Sequence, residues 1–286
     1  MRIAAPPSGI LAPLKPARPD IAVPPFPPGA EWVGAEVSDP TRLTVAGPLL
    51  VHFFEFAQLN SIRALPYMLA WRQRYAPHGL SVVGVHSPRF PFTRPARSVG
   101  EAARRLRISH PVLVDSEHRA WRDYGCRGWP SLFLWGRGGA LRWYHLGEGE
   151  YEATEDAIRQ ALEEAGTEAD WPPPLEPIRA SDAADAKVVP PSAELFPGGS
   201  PEVPWFASPE EDSLRTDYEA GGAYAALDGR GSLRVSLDGD APTTLEVEHP
   251  GLHELAVHRR HEKHTLEIEL SEEIAVYSLS FAPGTP

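Results

Sequence analysis

Cys126 is the only cysteine in 286 residues. One thiol cannot form an intramolecular disulfide, a self-contained dithiol redox centre or a cysteine-based zinc cluster. It stands four residues before Pro130 and next to Arg127. It can be a small apolar core residue, or the thiol of a sensor or one-cysteine reductase helped by Arg127. The second use would need partial exposure and a lowered pKa. A second concentration of chemistry lies near the C-terminus, where His249, His253, His258, His261 and His264 fall within sixteen residues. Imidazoles at that density are the donors of zinc and nickel sites. Arg259, Arg260 and Lys263 are interleaved with them, however, and repel cations. The stretch 259–263 reads as the tip of a hairpin with His258 and His264 facing one another at its base. A solvated turn is therefore expected and no metal; His258, His261 and His264 are the imidazoles a metal would use.

His52, Glu55 and Ser61 form a third group. A Ser–His hydrolase site would need a strained nucleophile turn, and no Gly-x-Ser-x-Gly lies near Ser61. His52 and Glu55 are separated by an odd number of residues, which in an alternating strand points them to opposite faces. His52 is expected to be a hydrogen-bonded core histidine.

The elements that position these residues follow from composition and period. The hydrophobic fraction is 42% and the charged fraction 23%, ordinary for a globular chain. No stretch approaches the ~20 apolar residues of a spanning helix. Residues 1–20 carry five prolines and lack the apolar run of a secretory leader, so the chain reads as cytoplasmic. Residues 1–165 hold 19 Lys and Arg against 16 Asp and Glu, whereas residues 166–286 hold 8 against 23. An acidic second half argues against nucleic acid, whose affinity rests on basic side chains neutralising phosphates. No cofactor is expected.

Four segments emerge. Residues 1–30 form a proline-rich extension. Residues 31–165 alternate short apolar strands (Leu49–Phe54, Leu80–Val85) with helical stretches (Ser61–Tyr75, Val99–Leu106, Tyr151–Ala165). A hairpin around Gly138-Gly139 precedes the last helix, and the pattern makes an α/β layer domain. Residues 166–206 are a linker rich in proline and acid. Residues 207–286 shift to a period of two, as in Ser232–Leu237 and Val276–Phe281, and predict a small all-β antiparallel sandwich.

The stretch Phe53-Phe54-Glu55-Phe56-Ala57-Gln58-Leu59-Asn60-Ser61-Ile62-Arg63-Ala64-Leu65-Pro66 resembles the active-site segment of the thioredoxin-like superfamily, closest to TlpA-like domains of the DipZ type. Val83–Ser87 is similar to their next strand, Tyr124–Pro130 to their cis-proline loop, and Gly147–Tyr151 to the entry of their last helix. The resemblance implies a thioredoxin-like fold with Pro130 as the cis-proline. It also implies that Gln58 and Ser61 stand where the family has its Cys-x-x-Cys, and His52 where many members hold a buried Asp. Without either thiol, dithiol exchange is excluded chemically. What the resemblance leaves is a groove in which backbone before the cis-proline pairs with an extended peptide, lined here by Phe54, Phe56, Gln58, Trp129 and Pro130. The last segment is similar, more weakly, to carbohydrate-binding-module-like domains. Three functions are expected in descending order: a redox-inactive peptide- or protein-binding or scaffolding module, a one-cysteine oxidoreductase using Cys126, and a glycan-binding sandwich.

Overall fold

The computed structural model describes residue 18 and residues 20–208, 212–271 and 273–286. Most of the proline-rich extension, residues 1–17 and 19, lies outside the described residues.

The first domain is a mixed six-stranded sheet in the order β1-β4-β3-β2-β5-β6. Its strands are β1 Glu31–Val33, β2 Leu49–Phe54, β3 Ser81–His86, β4 Val112–Val114, β5 Ser131–Trp135 and β6 Leu141–Leu146. Strand β2 lies parallel to β3 and antiparallel to β5, and all six of its residues are buried. That is why its sequence is a continuous apolar run rather than an alternation. Leu50 faces helices α2 (Leu59–Tyr75) and α5 (Tyr151–Glu164), and Leu49, Val51 and Phe53 face the layer made by Val23, Phe26 and α4 (Arg119–Asp123). Two further helices, α1 (Pro40–Ala46) and α3 (Ala96–Arg105), complete the domain.

The second domain is one five-stranded, wholly antiparallel sheet in the order β11-β7-β10-β8-β9. Its strands are β7 Ser213–Asp228, β8 Gly231–Leu237, β9 Thr243–Val247, β10 Gly251–Leu270 and β11 Ala275–Ala282. Val276, Leu279 and Phe281 on one edge share a core with Leu233, Val235 and Val247 near the other, so the long strands bend the sheet around its own interior. Gly221 and Gly222 let neighbouring backbone pass close to β7. A Cβ there would come within 2.7 Å of the Pro283 carbonyl oxygen and 2.8 Å of the Ala256 carbonyl oxygen, respectively. The hairpin tip expected at 259–263 does not occur. Strand β10 runs through it, and its pairing with β7 slips between Val257 and Glu262, so a bulge replaces the turn.

Residues 166–206 are strapped to both domains. Arg74 and Arg159 donate to the carbonyls of Pro173 and Pro172, and Glu155, buried on α5, accepts from the Leu175 amide at 2.9 Å. Asp182, whose side chain is 2% exposed, accepts from the Tyr67 hydroxyl at 2.8 Å and pairs with Arg179 and Arg63. Leu195 and Trp205 then bridge to Leu279 and Val276 of β11. No described helix is long and apolar enough to cross a membrane.

Asp182→Ala would leave two arginines and a tyrosine hydroxyl facing a missing acceptor. Breaking such a buried pair costs about 3 kcal/mol, to be seen as a lower chemical-denaturation midpoint and faster proteolysis within 183–206. An unchanged midpoint would show that the strap is held by packing alone.

Candidate functional site

The loop entering α2 uses its side chains to build itself. Gln58 is the N-cap of α2, its Oε1 accepting the Ser61 amide at 2.9 Å. Ser61 is buried, and its Oγ accepts the Glu55 amide at 3.1 Å. Glu55, also buried, accepts the Ala57 amide through Oε2 at 2.9 Å, while its Oε1 lies 3.6 Å from His86 Nε2. Both positions matched to the dithiol thus hold neutral groups engaged with local backbone, over a buried Glu–His contact that sequence reasoning did not anticipate. Only the extended distance between residues 55 and 86 hid it.

His52 is fully buried, but it is not hydrogen-bonded as expected: neither ring nitrogen has a partner among the described residues. It stacks on Phe54 at 5.2 Å, and the strand's alternation directs it into an apolar layer that also contains His110. Burial, reinforced by His110, holds the His52 pKa down to about 3, and burial, reinforced by Arg72, holds His110 at about 4. Both imidazoles are neutral, which disposes of His52 as a charged acid–base partner for Ser61. As pH falls from 6.5 towards 4 the unfolded chain takes up protons at these histidines that the folded chain refuses. Stability is therefore lost on acidification, by up to about 1.4 kcal/mol per pH unit for each. His52→Phe should flatten that loss by one histidine's share in denaturation curves between pH 6.5 and 4; an unaltered slope would contradict the assignment.

The Trp129–Pro130 peptide is cis. Pro130 is buried and Trp129 half-buried, its indole N–H donating to the Ser87 carbonyl at 2.9 Å and its ring lying 4.4 Å from that of Trp121. Phe54 and Phe56 do not line an open groove. Each is 2% exposed, packed in a cluster with Phe90 and Phe92 that Ala226, Ala275 and Tyr277 of the second domain close over. Arg89 lies between Trp129 and Phe196, its guanidinium 5.9 Å and 5.1 Å from the two rings, and pairs with Glu194 at 2.8 Å. Gln58, Leu59 and Asn60 border a cleft of about 370 Å³ whose far wall is Pro191, Glu194 and Phe281. The surface beside the cis-proline therefore faces the chain's own strap and second domain.

Cys126 is 9% exposed and packs with Tyr124, Phe133 and Val23. Burial pushes its thiol up to about 12, opposite to the lowering that a reactive thiolate would need; Ser131 offsets this in part. Native protein at pH 8 should alkylate with iodoacetamide at least about a hundredfold more slowly than unfolded protein. A native rate close to that of the unfolded chain would place the thiol at the surface.

Of the second domain's histidines, His258 and His264 stack at 4.2 Å, as their expected juxtaposition required, though across a bulge rather than a turn. His261 is not with them; it lies 3.6 Å from Glu219, and Glu262 takes its place beside the other two. Tyr218, Tyr277 and Trp205 are all buried, and none forms an exposed platform for a sugar ring.

No model of a known protein family matches the chain. It is similar to protein DipZ of Mycobacterium tuberculosis, 26% identical over 268 residues that cover 82% of this chain and 38% of DipZ. The chain thus spans well under half the length of that relative. It is also similar to the thiol-disulfide oxidoreductase YkuV of Bacillus subtilis, 27% identical over 46% of this chain and 88% of YkuV. Among solved structures, a thiol-disulfide isomerase from Corynebacterium glutamicum covers 50% of this chain and 97% of its own, at 20% identity and a TM-score of 0.41. By sheet order and these sequence relatives, the first domain is a thioredoxin-like domain, sharing its fold with DipZ and YkuV, in a chain that has a single cysteine.

Proposed function

We propose that this chain is a redox-inactive thioredoxin-like binding and scaffolding module. The observation that carries this reading is the chemistry at Gln58 and Ser61. Neither group can attack a disulfide, and each is hydrogen-bonded into the turn that starts α2. The remaining thiol, Cys126, is buried with a raised pKa, which weighs against a one-cysteine oxidoreductase. What the framework retains is the rim: Gln58 on one side, Trp129 and Pro130 on the other. In thioredoxin-like folds that rim holds extended chain by backbone pairing. Here the segment beside it is the chain's own Glu194–Phe196, fixed through Arg89. Phe54 and Phe56 support the module differently, as the apolar seat on which the second domain rests. The same surface so serves as a dock: for the strap within the molecule, and for an extended peptide or partner strand at the half-buried Trp129 edge.

Two measurements test the two halves of this reading. In insulin reduction by dithiothreitol the full chain should leave the rate at its uncatalysed value, and the pair Gln58→Cys and Ser61→Cys should raise it. Turnover by the natural chain that Cys126→Ser abolishes would overturn redox inactivity. Extended peptides selected on the full chain by display should bind about tenfold or more weakly to Trp129→Ala, because a half-buried aromatic anchors such contacts. A selection that yields no binder, or binders indifferent to Trp129, would overturn the docking role.

A further inference from the structure

The bulge of β10 brings together side chains that a regular strand would keep apart. Residues six apart in a strand are separated by about 20 Å, yet the rings of His258 and His264 are 4.2 Å apart. Pairing explains this: Val257 faces Gly222 and Glu262 faces Ala220, so five steps along β10 answer two along β7. The surplus backbone folds His258 back over His264, with Glu262 between their inner edges.

We propose that His258 Nδ1, His264 Nε2 and a Glu262 carboxylate oxygen bind a divalent cation of the zinc type. The three donor atoms lie within 4.8 Å of one another. Glu262 Oε2 is 3.3 Å from His264 Nε2 and 3.9 Å from His258 Nδ1. A tetrahedral ion with bonds of about 2.0–2.1 Å has donors about 3.4 Å apart, which the Glu262 oxygen already approaches from both nitrogens, while the two imidazoles, stacked with their planes 23° apart, must splay so that both in-plane lone pairs meet at the ion. The outer nitrogens are already held. Asp238 Oδ2 is 2.7 Å from His264 Nδ1, and the Tyr218 hydroxyl is 2.6 Å from His258 Nε2. A carboxylate behind a ligating imidazole fixes its tautomer and turns the other nitrogen towards the ion. Asp238 is itself fixed by the Thr265 amide at 2.8 Å, and Tyr218 by stacking on Phe281 at 4.9 Å.

Two imidazoles and one carboxylate suit zinc and its first-row neighbours better than calcium or magnesium, which take mostly oxygen. The exposed side of Glu262 leaves a fourth position for water. Of the cationic residues that argued against a metal, Lys263 is paired with Glu219 at 3.2 Å, and Arg259 and Arg260 are exposed to solvent. The site is independent of the dithiol-loop surface and of the reading proposed for it.

The test is a zinc titration of the untagged full chain, stripped by a chelator and read by competition with a chromophoric indicator. One equivalent should bind at micromolar or lower concentration. His264→Gln should weaken binding about a hundredfold, and the exposed positions Glu262→Gln and Asp238→Asn, whose substitution leaves the core intact, about tenfold or more. His249→Gln, in the neighbouring histidine pair, should leave it unchanged. Zinc X-ray absorption should show two imidazoles in an all-nitrogen-and-oxygen shell. Binding no tighter than ~1 mM, far above the range of built zinc sites, would overturn the proposal. So would full affinity in both His264→Gln and Glu262→Gln, leaving the cluster as a hydrogen-bonded charge network only.

Discussion

Proline has no amide hydrogen, and this constraint governs how the two domains are joined. A segment as proline-rich as residues 171–178 can offer a neighbour little beyond carbonyl oxygens and a few remaining N–H groups. The first domain answers both. Arg74 and Arg159 donate to the carbonyls of Pro173 and Pro172, while Glu155 and Tyr67 accept from Leu175 and Ile178. Glu155 can do so only because α2 and α5 bring Trp71, Tyr75, Arg74 and Arg159 around one buried carboxylate. Without that convergence the charge would not be tolerated inside. The strap is held against the first domain at this cluster.

The second domain lands on the aromatic residues around the loop that opens α2. Gln58 and Ser61 are hydrogen-bonded into that loop, and the aromatic residues around it serve as packing surface. Phe54, Phe56, Phe90 and Phe92 meet Tyr277 and Ala275 across the domain boundary in one apolar cluster.

The sequence made some of this legible and concealed the rest for identifiable reasons. Strand β2 announced itself because burial on both faces demands an unbroken apolar run, and the Gly138-Gly139 hairpin because positive φ at both residues requires glycine. Strand β7 was concealed: its centre, Glu219-Ala220-Gly221-Gly222-Ala223, carries small residues because the backbone of neighbouring segments passes too close for larger ones. Strand β10 was misjudged because a run of charged and polar residues marks turns and bulges alike. At the site, the identities at positions 58 and 61 were enough to exclude dithiol exchange. Exposure was not legible, since Phe54 and Phe56 are covered by residues more than 150 positions away. Nor was the Glu55–His86 contact, which depends on how two parallel strands align rather than on any local pattern.

The salt link from Arg89 to Glu194, with Phe196 on the guanidinium's face, has a consequence in terms of concentration. A ligand joined to its receptor by a chain already anchored at Asp182 never leaves its neighbourhood, and short tethers hold such ligands at millimolar effective concentration. Within the molecule, the rim beside Trp129 is therefore occupied by Glu194–Phe196. A peptide arriving there would have to displace the strap or settle beside it.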